Sequence, residues 1–168
     1  MNRRECLRSL SLGAMASIAM TGRWGQAQAQ EKRAVEKRVI EKMTRSDDEW
    51  RKLLSPEAYK VLRKEGTERA GTSPLNSEKR KGVYHCAGCD LALFDSEMKF
   101  ESGTGWPSFF TTLEGSFETS RDFKAILPRT EYHCARCGGH HGHVFNDGPP
   151  PTKLRYCNNG VALKFVPA

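Results

Sequence analysis

Tyr84-His85-Cys86-Ala87-Gly88-Cys89 and Tyr132-His133-Cys134-Ala135-Arg136-Cys137 repeat one pattern within a single chain. Each looks like a strand end running into a tight C-x-x-C turn. Two such knuckles facing each other put four sulfurs around one point, the geometry of a zinc ribbon. Zinc takes four tetrahedral thiolates about 2.3 Å away, and a closed set of four leaves no position for water. An ion held by Cys86, Cys89, Cys134 and Cys137 is therefore expected to be structural, clamping the ends of strands that lie far apart in the chain. The same residues also allow a pair of disulfides or redox-active motifs. Neither motif opens a helix in a βαβ setting, which argues against a thioredoxin-like role.

Outward from the knuckles, short apolar runs alternate with turn residues. The expected strands are Val83 to Cys86, Leu91 to Phe94, Ser108 to Thr112, Phe117 to Thr119, Phe123 to Leu127, Glu131 to Cys134, His143 to Phe145 and Arg155 to Phe165, the last interrupted around Asn158-Asn159-Gly160. No long helical period runs among them. The fold class is mainly β, a small antiparallel barrel or two packed sheets. Ahead of it, Ser46-Asp47-Asp48-Glu49 has the form of a capping box and starts a helix with Trp50, Leu53 and Leu54 on its apolar face. Ser55-Pro56 starts a second, which Gly66 ends. From Gly66 to Lys81 the chain reads as a polar connecting loop.

Residues 1–29 differ in kind. A basic start (Arg3, Arg4, Arg8), a weakly apolar stretch and Ala27-Gln28-Ala29 read as an export signal, with the paired arginines resembling the twin-arginine type. An uncleaved amphipathic tail is the alternative. Residues 30–45 read as a charged linker and 46–168 as the working domain. Cleavage would lower the formal charge from 27 − 20 = +7 to 23 − 19 = +4, because Arg3, Arg4, Arg8, Arg23 and Glu5 depart. The remaining charge is of mixed sign, which gives nucleic-acid binding little support. No apolar run reaches the roughly 18 residues that a membrane span needs.

Six cysteines then sort by position: Cys6 leaves with the signal, four make the clamp, and Cys157 is left alone. A lone cysteine is often a small buried hydrophobe. Here Arg155 lies two residues earlier on the same strand face, and a nearby cation favours a thiolate. His140, His141 and His143 put at least one imidazole pair on a common side if their segment is extended, so they suit proton transfer or an incidental metal site. Gly103-Thr104-Gly105-Trp106-Pro107-Ser108-Phe109 is a Gly-rich turn presenting an aromatic, fit either to line a pocket or to fill the core.

Three motifs together, Gly103 to Phe109, Gly139-His140-His141-Gly142-His143-Val144-Phe145-Asn146-Asp147-Gly148-Pro149 and Leu154-Arg155-Tyr156-Cys157-Asn158-Asn159, resemble the peptide-methionine (R)-S-oxide reductases, the B-type methionine sulfoxide reductases. The likeness runs from about Ser46 to Phe165. It implies an oxidoreductase that repairs oxidised proteins or peptides. Cys157 would attack the sulfoxide sulfur, and Trp106, with Phe145, would hold the substrate. His140, His143 and Asn159 would hydrogen-bond the sulfoxide oxygen directly or through water, and Arg155 would lower the Cys157 pKa. Methionine leaves and Cys157 becomes a sulfenic acid. Three positions depart from the family. Many members carry a resolving cysteine where Thr104 stands, His141 replaces a usual Leu, and Gly160 replaces a common Ser. With no thiol to spare, regeneration is expected to need an external reductant, a thioredoxin- or glutaredoxin-like protein or a small thiol. The expected enzyme is an exported, periplasmic monomer. Two rival functions fit some of the same residues, a zinc-ribbon binding module and a thiol peroxidase.

Overall fold

A computed structural model describes residues 39–123 and 127–168. The expected export signal and most of the charged stretch before Val39 lie outside the described residues. Among the described residues two short α-helices lead. Helix α1 (Asp47–Leu53) is capped by Ser46, whose side chain accepts from the Glu49 N–H while Glu49 reaches back to the Ser46 N–H. Helix α2 (Pro56–Lys64) begins with Pro56 at a position where no backbone donor is needed, and Glu65 ends it in the left-handed region, one residue before Gly66. Trp50, Tyr59, Val61 and Leu62 are buried from these helices.

Among the described residues nine strands follow in two antiparallel sheets. The smaller has β2 (Ala92–Asp95), β1 (Gly82–Cys86) and β9 (Leu163–Pro167) in the order β2-β1-β9. The larger runs β3-β4-β8-β7-β6-β5, from Lys99–Phe100, Ser108–Phe109, Arg155–Asn158, His140–Phe145, Arg129–Cys134 and Phe117–Asp122. The expected strand Arg155 to Phe165 is thus two strands in different sheets. A 3-10 turn at Gly160–Ala162 carries the chain from one to the other. The expected strand at Phe123 to Leu127 is not formed at either end, where Phe123 and Leu127 are exposed and in no strand, and residues 124–126 lie outside the described residues. Pairing with β6 instead extends β5 to Asp122.

Register divides the large sheet into two chemically different faces, because residues directly opposite one another project to the same side. Phe109 faces Tyr156, which faces Val144, and Tyr132 and Phe117 continue that side into the core. Phe94 stacks on Phe109 at 3.9 Å between ring centroids, and Phe117 meets Tyr132 edge-on at 4.8 Å. The other side carries Ser108, Cys157, His143 and Glu131 as directly opposed pairs across four adjacent strands. Its residues are polar or reactive because it is the face that the small sheet does not cover.

The two C-x-x-C turns close β1 and β6, one from each sheet, and bring Cys86, Cys89, Cys134 and Cys137 together as free thiols. Their sulfurs all lie within 4.8 Å of one another, with Cys86 to Cys137 at 3.7 Å and Cys89 to Cys134 at 3.4 Å. Four sulfurs about 2.3 Å from a tetrahedral centre stand about 3.8 Å apart, whereas a disulfide brings its sulfurs to about 2.05 Å. The spacing fits a metal ion and excludes disulfides among these four. Such an ion ties sheet to sheet.

Candidate active site

Cys157 sits at the middle of the polar face, on β8 between β4 and β7. Gly142 makes that position possible: a Cβ there would stand 2.0 Å from the Cys157 carbonyl oxygen, so only glycine lets β7 close on β8. Tyr132 donates its hydroxyl hydrogen to the same carbonyl at 3.2 Å, fixing the strand from the core side. The Cys157 side chain borders an open cavity of about 210 Å³, lined also by Thr67, Trp106, Arg129, His143, Phe145 and Asn159.

A bulge sorts the histidines. Strict alternation would align His141 with His143, yet Tyr132 pairs with Gly142 and His133 with His140, leaving His141 as the extra residue. His140 and His143 consequently share a side, with ring centroids 5.5 Å apart, and His141 turns fully into the core. His143 lines the cavity. His140, only 2% exposed, stands behind it and contacts Glu131. His143 Nε2 lies 2.7 Å from Asp122, and Asp122 also accepts from Arg129 at 2.7 Å. With a carboxylate as partner, Nε2 is the protonated nitrogen of His143, leaving Nδ1 as the one that can exchange a proton. His141 is held below its ordinary value, at about 4, chiefly because burial disfavours the charged ring.

Arg155 makes a two-pronged pair with Asp147 at 2.8 Å for each bond, and its guanidinium lies 4.4 Å over the Phe145 ring. Those bonds hold Asp147 below the usual carboxylate range. The Cys157 thiol itself is pushed up, because burial outweighs the opposing pull of Arg155 and of a hydrogen bond from Thr104. Arg155 therefore acts in the direction expected, against a larger opposing cost. Thr104 belongs to a hydroxyl chain in which Ser102 Oγ lies 2.8 Å from Thr104 Oγ1 and 2.7 Å from Ser108 Oγ.

Glu68 lies in the polar segment whose sequence marks only a connecting loop. Its backbone carbonyl accepts the Trp106 indole N–H at 3.1 Å, and its N–H donates to the Asn159 side chain at 2.9 Å. Its carboxylate accepts the backbone N–H groups of Gly160 at 2.5 Å and Val161 at 3.1 Å. One residue thus orients the aromatic wall and the turn behind Cys157. Asn159 is further fixed by donating its amide to the His141 carbonyl at 2.9 Å. Asp147, Asp122 and Glu68 are the partners that no spacing rule pointed to.

Residues 54–167 match the SelR domain family. The chain is 55% identical over 130 residues to the peptide methionine sulfoxide reductase MsrB of Pseudomonas putida (strain W619), covering 76% of this chain and 97% of that protein. It is 51% identical over 127 residues to the protein of that name from Agrobacterium fabrum (75% and 94% covered), and 50% over 124 residues to that of Leptospira interrogans (73% and 95%). A domain match over most of the chain, joined to half-identical relatives covered almost end to end, makes this protein a member of the SelR-domain family of MsrB peptide methionine sulfoxide reductases.

Proposed function

We propose that the enzyme reduces the R epimer of methionine sulfoxide, mainly in proteins, with Cys157 as nucleophile. The observation that supports this most is the meeting of Cys157, His143 and Trp106 around one small cavity. The sulfoxide methyl packs on Trp106, whose ring is held by Glu68, and Phe145 lines the same cavity. The Cys157 thiolate attacks the sulfoxide sulfur while an imidazole proton goes to the oxygen, which makes that sulfur a better electrophile. His143 is the proton donor, backed by His140 and oriented by Asp122. Asn159 holds the oxygen's position. Methionine leaves with its sulfur reduced by two electrons, and Cys157, oxidised by two, carries the oxygen as sulfenic acid. A first external thiol converts the sulfenic acid to a mixed disulfide and releases water. A second thiol attacks the reductant's sulfur in that mixed disulfide, so that Cys157 leaves as its thiolate and the reductant is left as a disulfide, within one molecule for a dithiol and between two for a monothiol. Thioredoxin- or glutaredoxin-like proteins supply such thiols.

The clamp holds zinc, for which four thiolates at the observed spacing are the preferred donor set. Arg3-Arg4 and Ala27-Gln28-Ala29 support export by the twin-arginine route to the periplasm. Incubation of both sulfoxide epimers of a blocked methionine with dithiothreitol tests the reaction. The R epimer alone should disappear, and Cys157→Ser should leave both untouched. Consumption of the S epimer, or activity surviving in C157S, contradicts the reading. Without added thiol one methionine should form per enzyme, and an internal disulfide at Cys157 found by mass spectrometry would sink the external-reductant step.

A further inference from the structure

Beside the reductase site lies a second set of metal-binding side chains that the reaction does not need as such. Glu131 and His133 project from β6 on one side, two residues apart, and His140 faces His133 across the β6–β7 bulge. His133 Nε2 stands 3.1 Å from Glu131 Oε1, and His140 Nδ1 is in close contact with that same oxygen. The three donor atoms lie within 4.8 Å of one another, and the two imidazoles meet at 64° with centroids 5.9 Å apart. Donors about 2.0 to 2.1 Å from a tetrahedral ion are separated by about 3.3 Å, so a small parting of the carboxylate from the rings admits one. The His133 side chain is 21% exposed while that of His140 is 2% exposed, which gives the cradle one open end.

We propose that Glu131, His133 and His140 form a reversible site for a divalent transition cation, and that its occupation withdraws His140 from the reductase. Two imidazoles and a carboxylate select zinc, cobalt, nickel or copper over magnesium or calcium, and three protein ligands leave a position for water. One carboxylate and two neutral imidazoles carry a single negative charge, which a divalent ion reverses beside His143, 5.5 Å from His140. The inhibitory half rests on the part given above to His140. The binding half does not.

Cobalt added to zinc-loaded Cys157→Ser protein tests binding without the nucleophile's sulfur. One further ion per chain is expected, with ligand-field absorption and no sulfur-to-cobalt charge-transfer band, and His133→Gln should lose it while keeping the clamp's zinc. Absence of a further ion in the His133-containing protein, or equal uptake in the His133→Gln protein, overturns the site. In the single-turnover reaction of the otherwise native enzyme, run without thiols that would chelate metal, zinc should slow methionine formation. H133Q should keep the metal-free rate and need about tenfold more zinc or beyond for the same slowing. Binding without slowing overturns the coupling to His140 and leaves the cation site standing.

Discussion

Replacing His141 by Leu should remove most of one histidine's share of the protein's acid sensitivity. His141 is fully buried, edge-on to Phe117 at 5.4 Å, and the only hydrogen bond of its ring among the described residues is a long one, Nδ1 to Asn158 at 3.4 Å. Burial lowers its pKa from the ordinary 6.5 to about 4. A ring that stays neutral in the fold but charges in the unfolded chain makes the unfolded chain the better proton binder. Stability is therefore unaffected above pH 6.5, falls as pH drops below it, and levels once the folded ring titrates near 4. The full difference is roughly 3 kcal/mol, of which about 2 kcal/mol appears between pH 7 and pH 5. Urea melts of the zinc-loaded protein at those two pH values read this directly. Carboxylates titrating in the same range act equally on both proteins, so they cancel in the comparison. At pH 7 His141→Leu should change stability by no more than about 1 kcal/mol, since a long hydrogen bond is exchanged for apolar packing. Equal losses in the two proteins between pH 7 and 5, within about 0.5 kcal/mol, would refute burial of a neutral His141 as the cause.

Arg155→Met removes the cation that opposes burial at Cys157, so the thiol rises further and the alkaline limb of single-turnover rate against pH should move upward. An unmoved limb would separate Arg155 from the nucleophile. Glu68→Gln keeps the size but weakens acceptance from the Gly160 and Val161 N–H groups. A loss of about 1 to 3 kcal/mol is expected in urea melts, with kcat falling more than KM rises. Gly142→Ala drives a methyl into the Cys157 carbonyl, and a loss of about 3 kcal/mol or more in thermal unfolding should follow. Chelation of the clamp's metal frees β1 from β6, so it should lower the melting temperature even at saturating reductant, and added zinc should restore it.

What the sequence exposed were groups whose chemistry is local in the chain. The repeated C-x-x-C turn, the capping box at Ser46 and the lone Cys157 with Arg155 two residues away each carry their own geometry. What it hid depends on register. His140 and His143 share a side only because β7 bulges at His141, and a bulge belongs to the pairing with β6 and not to β7 alone. Asp122 reaches His143 because β5 continues past Thr119, beyond the strand that the apolar pattern marks. Residues Phe123 to Leu127 look like a strand by composition, yet Phe123 and Leu127 meet no partner strand, and composition does not say where a neighbour ends.

Glu68 shows the limit most sharply, and why the site has the form it does. A polar loop without periodicity reads as a connector, but this one must lie across the seam where the chain leaves β8 in the large sheet for β9 in the small one. At that crossing the backbone N–H groups of Gly160 and Val161 have left one ladder and not joined the other. A buried donor without a partner costs about 1 to 3 kcal/mol, so some acceptor is required there. The Glu68 carboxylate meets both, and the same residue's backbone then reaches Trp106 and Asn159. The need to satisfy a sheet crossing thus fixes two walls of the cavity beside Cys157, Trp106 and Asn159, from a single loop residue.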